Sequence, residues 1–432
     1  MTRPIPFDAV LFDLDGTLLA TDRFWVPAAR VGARRAFEEL GLDREIPSAE
    51  EWMSLVGLPL AEGFDMLFAE LTREQRELIL ERCVEEEHFA LESGAAALLP
   101  GVVDVLIELK ALNVPMGIAS NCSQAYLDSA MQKVELREYI SEGRCLDSPG
   151  ISDKAEMIED LLLTFRTRSA VMVGDRAGDR NAAHANGLPH VHLRNGFAPG
   201  GEEVICEAQI DDFLELLPRL RGRQRWIEST LADLDLSQAR SLGITGRSGA
   251  GKSLYARDVV RNLNASASPA VLVSLDDFMR ADRPAISGEE LDSAGSALDI
   301  PGRVWRIELL VEQLLKPHAQ GNDVAFELEC EAGERKQIKV GANETLVLEG
   351  LYLLHPSLHV FLDKTIYLEV PDKQLLNRVA ARCLPIGASS EFVRTRDRYL
   401  PAQIRFDAAC PPSAGADLVL DARNPLGPEK LA

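Results

Sequence analysis

Short apolar runs alternate with longer helical stretches along most of this 432-residue chain. Runs such as AVLFDLD and PMGIASN in the first half, and SLGIT and TLVLEG in the second, have the length of buried β-strands. Strands that alternate with helices form parallel sheets, because each helix carries the chain back to the edge where the next strand begins. The sequence therefore predicts an α/β protein with two doubly wound parallel-sheet domains.

The spacing of these runs also predicts domain boundaries, and the chain length suits two or three domains of about 150 residues each. A stretch rich in Glu, Leu, Ala and Arg interrupts the first sheet and is long enough to form a small helical domain of its own. We predict a first domain over 1–221, with its core in 1–19 and 96–221 and a helical cap over 20–95. A linker helix over 222–240 and a second domain over 241–432 follow. In the second domain VAFELEC and RKQIKV predict a β-hairpin.

The charge balance limits the partners of the protein. The chain has 46 Lys and Arg against 68 Asp and Glu, a formal net charge of -22. Nucleic-acid affinity comes largely from basic side chains that displace counterions, so nucleic acid is not an expected partner. No apolar run reaches the roughly 20 residues that span a bilayer, and the N-terminus lacks a signal peptide pattern. The seven dispersed cysteines suggest reduced thiols and a cytoplasmic location, whereas the oligomeric state stays open.

The first chemical motif is AVLFDLDGTLL, in which Asp13 and Asp15 end an apolar strand. Side chains two residues apart project to the same side of a strand, so both carboxylates can face one pocket. Gly16 then allows a sharp turn. A second run, VMVGDRAGD, supplies Asp175 and Asp179 at the end of another strand. Because such hard oxygen ligands suit Mg²⁺, we predict a magnesium site formed by these four aspartates.

Four motifs in the first half, DLDGT, IASN, GISDKAEMI and VGDRAGD, together resemble those of haloacid dehalogenase superfamily phosphatases over residues 7–220. The resemblance implies a capped α/β core and an aspartyl-phosphate mechanism. It implies that Asp13 is the nucleophile and Asp15 the general acid and base. Ser120 would hold the transferring phosphoryl group, with Asn121 beside it at the substrate, and Lys154 would neutralise charge. The implied substrates are small phosphomonoesters such as sugar phosphates, phosphoglycolate or nucleoside monophosphates, and the sequence does not choose among them.

The second chemical motif is GRSGAGKS, which follows the predicted strand SLGIT and precedes the predicted helix KSLYARDVVRNL. Glycines in such a loop let backbone N–H groups converge on phosphates at a helix N-terminus. Lys252 would reach the β- and γ-phosphates of ATP, and Ser253 would ligate Mg²⁺. The predicted nucleotide site comprises Gly246, Ser248, Gly249, Ala250, Gly251, Lys252 and Ser253.

Further motifs in the second half, VLVSLDDFMR, LDIPGRVW and LVLEGLYLL, resemble the uridine kinase and phosphoribulokinase family over residues 241–421. The resemblance implies a P-loop kinase fold, with Asp276 as the catalytic base. Arg280, Asp299 and Glu349 would contact the acceptor substrate. Arg378 would act as a lid arginine on the nucleotide.

Two features of the second half bear on that resemblance, and the hairpin is a departure from the family. Asp277 adjoins Asp276 and could exchange roles with it. In the hairpin, Phe326 and Glu331 replace the tyrosine and histidine that contact a pyrimidine in uridine kinases. Losing polar partners for a base changes specificity sharply. We therefore expect a small polyol, sugar or nucleoside-like acceptor rather than ordinary uridine or cytidine.

The two halves together predict a bifunctional enzyme that hydrolyses a small phosphorylated metabolite and phosphorylates a small hydroxyl acceptor with ATP. Two alternatives stay open. Polynucleotide kinase-phosphatases also join such motifs, although the net charge of -22 and the cap-sized insertion argue against a long polyanion. Alternatively, the second half binds nucleotide without turnover and regulates the phosphatase, although the acidic Asp276 beside the glycine loop favours catalysis.

Overall fold

The computed structural model divides the chain into two compact units. One unit comprises Phe7–Pro218, and the other comprises Met1–Pro6 with Arg219–Ala432. The structure describes residues 4–197, 202, 204–281, 296–330, 335–385, 387–424 and 426. Glu331 of the predicted hairpin lies outside these residues.

The first unit contains a six-stranded parallel sheet, which confirms the α/β prediction for this half. Its strands are β1 Ala9–Phe12, β2 Met116–Ala119, β3 Glu142–Arg144, β4 Ala170–Gly174, β5 His190–Leu193 and β6 Ala208–Ile210. Every residue of β1, β2, β4 and β5 is buried, which is why these strands are continuous apolar runs. The order β3-β2-β1-β4-β5-β6 reverses direction between β1 and β4. Ligands of open α/β sheets bind at such a switch point, beyond the carboxyl ends of the strands.

Four helices connect the strands of this sheet, namely α5 Val102–Ala111, α6 Gln124–Lys133, α7 Lys154–Thr164 and α8 Ala177–Ala185. Local capping fixes two of their starting points. The side chain of Ser123 accepts a hydrogen bond from the Tyr126 N–H, and that of Asp153 accepts one from the Glu156 N–H. These caps place Tyr126 and Lys154 in the first turns of α6 and α7. Short 3₁₀ turns cover Thr21–Arg23, Leu136–Glu138 and Phe213–Glu215.

The stretch between β1 and α5 folds into four helices, α1 Trp25–Leu40, α2 Ala49–Met53, α3 Leu60–Leu67 and α4 Arg73–Glu92. Its core is aromatic, with Trp52 fully buried against Trp25, Phe64 and Phe68 at ring-centroid distances of 5.7 to 5.9 Å. Helix α4 is mostly polar, and its buried residues are four apart: Ile79, Cys83, Glu87 and Leu91. This spacing forms one stripe along the helix, and the stripe contains a carboxyl.

The second unit contains the second predicted parallel sheet, with the order β13-β12-β7-β11-β8. Its strands are β7 Ser241–Gly246, β8 Ala270–Ser274, β11 Thr345–Glu349, β12 Lys364–Glu369 and β13 Leu418–Asp421. Leu346 and Leu348 join the hydrophobic cluster on one face, whereas Val347 joins the cluster on the other. The strands β9 Val324–Glu329 and β10 Arg335–Val340 pair antiparallel, as predicted, with Phe326 opposite Ile338.

Helices surround the second sheet. Helix α9, Leu216–Leu234, precedes β7, and α10, Lys252–Ala265, follows it. The later helical segments are Ser296–Val304, Ile307–Leu310, Lys316–Ala319, Pro356–His359, Asp372–Cys383, Ser389–Arg394, Leu400–Ala409 and Pro412–Gly415. Single π-helical turns at Val311–Leu315 and Thr395–Tyr399 join neighbouring segments, and 3₁₀ turns cover Leu236–Gln238 and Leu275–Phe278.

The described residues bear on two predictions, the lack of a membrane-spanning segment and the reduced state of the cysteines. Among them, no helix combines the length and apolar character that crossing a membrane requires. All seven cysteines lie in the described part of the chain, and each is a free thiol.

Gly32 permits the close crossing of α1 and α4, which gives a testable prediction. A Cβ atom at this position would lie 2.5 Å from the Cys83 Cα and 2.6 Å from the Cys83 N. We expect Gly32→Ala to lower the free energy of unfolding of the first unit by about 1–3 kcal/mol, because backbone atoms must move apart. Gly178→Ala in α8 is the matched control, since no heavy atom lies within 4 Å of its added Cβ. Equal denaturant midpoints for the two variants would contradict the prediction.

Candidate active site

Three aspartates meet at the switch point of the first sheet. Asp13 follows β1, Asp175 follows β4, and Asp179 lies in the first turn of α8. One carboxylate oxygen from each lies within 4.8 Å of the other two, and none of the three residues is more than 1% exposed. Burial raises the pKa of Asp13, and burial together with the charge of Asp179 raises that of Asp175 to about 7. Three carboxylates in this arrangement need a positive charge among them.

Lys154 supplies one positive charge from the first turn of α7. Its Nζ donates hydrogen bonds of 2.7 Å to Asp13 Oδ1 and 2.7 Å to Asp179 Oδ1. Burial opposes the charged form of Lys154, but the carboxylates of Asp13 and Asp179 outweigh burial and raise its pKa. The ammonium therefore stays protonated and fixes the orientation of both carboxylates.

Backbone N–H groups hold one carboxylate oxygen of Asp175 and one of Asp179. The Phe197 N–H donates to Asp175 Oδ2 at 2.5 Å, and the Arg176 N–H donates to Asp179 Oδ2 at 2.9 Å. Gly16 has φ of +82°, and a Cβ on it would lie 2.5 Å from Asp175 Oδ2. The glycine of the DLDGT motif is therefore required by both its backbone conformation and the proximity of Asp175.

The cluster fits a divalent cation. Asp13 Oδ2 is buried and has no hydrogen-bond partner, which is costly for a carboxylate oxygen unless a cation binds it. The donors are all carboxylate oxygens, the ligand type that Mg²⁺ prefers. Asp13, Asp175 and Asp179 would hold the ion. The carboxyl of Asp15, also predicted as a ligand, does not belong to this cluster among the described residues.

Asp15 instead faces the helical insertion and α6. Its Oδ1 accepts hydrogen bonds from Thr21 Oγ1 at 2.8 Å and from the Tyr126 hydroxyl at 2.5 Å. Burial raises the pKa of Asp15, although these two hydrogen bonds oppose the increase. A carboxyl that retains its proton closer to neutral pH suits a general acid.

Ser120 and Asn121 follow β2, next to β1 in the sheet. Ser120 is 2% exposed and lies at the same sheet edge as Asp13. Asn121 donates from Nδ2 to the Gly57 carbonyl at 3.0 Å, so its amide binds the helical insertion. Arg176, which follows β4, donates to the adjacent Val56 carbonyl. Side chains at the ends of two strands therefore hold the 56–57 segment over the sheet edge.

A cleft lies beneath this segment and leads to Asp15 and Ser120. Its described lining includes Trp25, Leu55, Leu58 and Glu87 from the insertion, and Ser123 and Tyr126 from α6 and its cap. The wall contributed by the insertion is thus mainly apolar, with one carboxyl.

The GRSGAGKS segment forms the turn between β7 and α10. Gly246, Gly249 and Gly251 have φ of 147°, 82° and 91°, values that favour glycine. A Cβ on Gly246 would also lie 2.6 Å from the Leu368 carbonyl oxygen. The loop occupies the carboxyl end of β7, between its neighbours β11 and β12.

Other residues of the loop already have partners in the protein. Lys252 Nζ donates to the Arg247 carbonyl at 3.1 Å, and the buried Ala250 donates from its N–H to the same carbonyl at 3.1 Å. Gln403 bonds Ser248 twice, accepting from its N–H at 2.9 Å and donating to its hydroxyl at 2.9 Å. Ser253 is exposed at the start of α10.

Two acidic residues lie near the ammonium of Lys252. Burial lowers the pKa of Lys252, and the charges of Glu349 and Asp276 act against that decrease. Glu349 is 6% exposed and accepts from Ser274 Oγ at 2.6 Å, whereas the exposed Asp276 accepts from Trp305 Nε1 at 3.3 Å. The adjacent Asp277 forms an ion pair with Lys336 at 2.5 Å.

The remaining predicted residues of the second half have other partners. Arg280 donates from Nε to the Gly302 carbonyl at 3.3 Å. Asp299 is exposed in the helix Ser296–Val304, and its charge acts on His355. Arg378 donates from Nη1 to the Gly249 carbonyl at 3.2 Å and from Nη2 to the Ala422 carbonyl at 2.9 Å. Its guanidinium therefore supports the backbone of the glycine loop.

Comparison with known proteins places the first half in a family. Residues 10–192 match the family model described as haloacid dehalogenase-like hydrolase. The N-terminal half is a haloacid dehalogenase-like hydrolase domain. A phosphoglycolate phosphatase of Photorhabdus laumondii is 28% identical over 226 residues, 48% of this chain and 90% of the relative. One from Salmonella typhi is 25% identical over 234 residues, 49% of this chain and 91% of the relative.

A solved haloacid dehalogenase-like family hydrolase from Streptococcus pneumoniae is 22% identical, with a TM-score of 0.43. The likeness covers 49% of this chain and 98% of that structure. The family match confirms the resemblance of the first half to the haloacid dehalogenase superfamily. The kinase resemblance of the second half stays a prediction.

Sequence reasoning missed three residues that the structure places at these sites. Tyr126 lies in the hydrolase domain in the first turn of α6, six residues after Ser120, and no motif marks it. Glu87 could have been found from the four-residue spacing of the buried stripe in α4. Gln403 carries no local signal, because its partner Ser248 is 155 residues away.

The raised pKa of Asp175 predicts how pH affects the metal-free hydrolase domain. A carboxyl whose folded pKa is about 7 stabilises the fold most below its ordinary pKa of 3.8, and this contribution is lost as pH rises through 7. We expect Asp175→Asn to reduce the fall in melting temperature between pH 5 and pH 8 by several degrees in EDTA. Mg²⁺ should raise the melting temperature of the wild type more at pH 8, because it binds deprotonated carboxylates. Calorimetry of the exposed Asp104→Asn provides the control, and equal pH slopes for both variants would contradict the assignment.

Proposed function

We propose that the hydrolase domain is a Mg²⁺-dependent phosphomonoesterase that forms an aspartyl-phosphate on Asp13. The main support is the geometry of Asp13 itself. Lys154 holds one of its carboxylate oxygens at 2.7 Å, and the other oxygen is buried without a partner. The names of the phosphoglycolate phosphatase relatives support the same reaction class.

In the first step a carboxylate oxygen of Asp13 attacks phosphorus, and the bond between phosphorus and the leaving oxygen breaks. The ammonium of Lys154 opposes the effect of burial on the pKa of Asp13 and orients its carboxylate for this attack. Mg²⁺ bound by Asp13, Asp175 and Asp179 would neutralise charge on the phosphoryl oxygens. The hydroxyl of Ser120, at the end of the neighbouring strand, would bind one of these oxygens.

Asp15 would protonate the leaving oxygen and then remove a proton from the water that hydrolyses the aspartyl-phosphate. Thr21 and Tyr126 both donate to its Oδ1, so Oδ2 is the oxygen that carries the transferred proton. Burial raises the pKa of Asp15, which favours the protonated form that the first step requires.

Replacement of the nucleophile tests this mechanism. We expect Asp13→Asn to lower kcat for p-nitrophenyl phosphate by at least about 10³-fold, because residues that act as one catalytic unit have effects of this size or larger. The exposed Asp22→Asn should retain wild-type activity. Mass spectrometry of the quenched wild type should find a phosphorylated peptide that contains Asp13. Retention of activity by Asp13→Asn would contradict the mechanism.

We propose, as a second activity, that the C-terminal half binds ATP and phosphorylates a small hydroxyl acceptor. The support is a strand–loop–helix unit with three positive-φ glycines and with Lys252 close to Glu349 and Asp276. Asp276 suits the catalytic base better than Asp277, because Asp277 is paired with Lys336. The expected acceptors are polyols, sugars or nucleoside-like molecules.

Two variants separate catalysis from nucleotide binding in this half. We expect Lys252→Ala to weaken the binding of a fluorescent ATP analogue at least tenfold, because the lysine contacts the phosphates. Asp276→Asn should bind the analogue normally and lose ADP release, while the exposed Lys373→Ala should behave as the wild type. Binding without ADP release in the wild type, across a panel of acceptors, would favour a regulatory role. Salt-dependent binding of oligonucleotides would favour the end-healing alternative.

A further inference from the structure

The described lining of the hydrolase cleft contains acidic side chains and no basic one. Among its described lining residues, the charged groups are the carboxyls of Asp15 and Glu87. Lys154, which lies outside the lining, binds Asp13 and Asp179. Arg176 pairs with Glu202 outside the cleft lining. An anionic group beside the phosphate of a substrate would therefore meet two carboxyls without a balancing cation.

Glu87 is built into the wall of this cleft. It belongs to the buried stripe of α4 and is 7% exposed. Trp25 lines the same cleft and acts to lower the pKa of Glu87, and no described ion pair neutralises Glu87. Burial and the charge of Asp15 raise the pKa of Glu87 to about 8. Burial disfavours the ionised carboxylate of Glu87, and a ligand with a positive charge at this wall would stabilise that ionised form and pair with it.

We propose that Glu87 is a specificity-determining residue and that the cleft selects phosphomonoesters whose leaving group carries an ammonium group. A leaving group that carries a carboxylate is disfavoured, although relatives of this domain are named phosphoglycolate phosphatases. The proposal rests on the phosphatase function proposed above. It concerns only the part of the substrate beyond the phosphate, which Glu87 would contact from the insertion.

Two substrates of matched size test the proposal. O-phosphoethanolamine and 2-phosphoglycolate both carry two carbons and end in an ammonium or a carboxylate. We expect the wild type with Mg²⁺ to show a kcat/KM at least tenfold higher for O-phosphoethanolamine. Glu87→Gln keeps the size of the side chain and removes its ability to ionise beside an ammonium group, so it should reduce this ratio at least tenfold, mainly through KM of the amine. Glu77→Gln, an exposed position of the same helix, should leave the ratio unchanged.

The outcomes separate this proposal from the one on which it rests. If the wild type hydrolyses p-nitrophenyl phosphate but its ratio is one or less, the leaving-group proposal is wrong and the phosphatase function stands. If Glu87→Gln leaves this ratio unchanged, Glu87 does not determine specificity. If the wild type hydrolyses none of the three esters, the phosphatase function itself is wrong. The ratio of kcat/KM values measured for the wild type decides the substrate class even if the Glu87→Gln variant does not fold. Glu87→Asp retains a carboxyl and should keep part of the preference for the ammonium-bearing ester.

Discussion

The contact of Lys154 with Asp13 and Asp179 is the interaction on which the hydrolase domain depends. It neutralises part of a cluster of three carboxylates, each at most 1% exposed, that would otherwise repel one another in the protein interior. Removing one partner from a buried pair leaves an uncompensated charge and is strongly destabilising. The contact also fixes geometry, because β1, α7 and α8 must converge for it to form. Catalytic placement and folding are therefore linked through one ammonium group.

Much of this architecture could be predicted from the sequence, for a local reason. Strands that are buried on both faces, such as β1 and β4, appear as apolar runs, and the aspartates that follow them must lie at one sheet edge. The contacts between the insertion and the core could not be predicted in this way. Tyr126 and Asp15 are 111 residues apart, and no local pattern encodes their meeting. The contact of Arg378 with the Gly249 carbonyl is likewise distant in the sequence, and its predicted role as a lid arginine stays a prediction.

The two units form their candidate sites in different ways. The first concentrates carboxylates around one lysine, an arrangement that fits a divalent cation. The second relies on backbone conformation, with glycines at Gly246, Gly249 and Gly251 that turn the chain at a helix N-terminus. Both positions occur at the carboxyl ends of parallel strands, where the strand order reverses. A net charge of -22 is compatible with both sites, because the contacts within each site act over only a few ångströms.

The paired hydrogen bonds between Gln403 and Ser248 have a consequence for access to the glycine loop. Gln403 is 3% exposed, so its amide cannot turn to water when its partner is taken. An anion that occupies the Ser248 N–H would leave Gln403 Oε1 without this donor, at a cost of about 1–3 kcal/mol. Filling the loop would therefore be coupled to the position of Gln403 on the helix Leu400–Ala409. Anion binding at the backbone of the glycine loop would in this way affect a helix that lies far from the loop in the sequence.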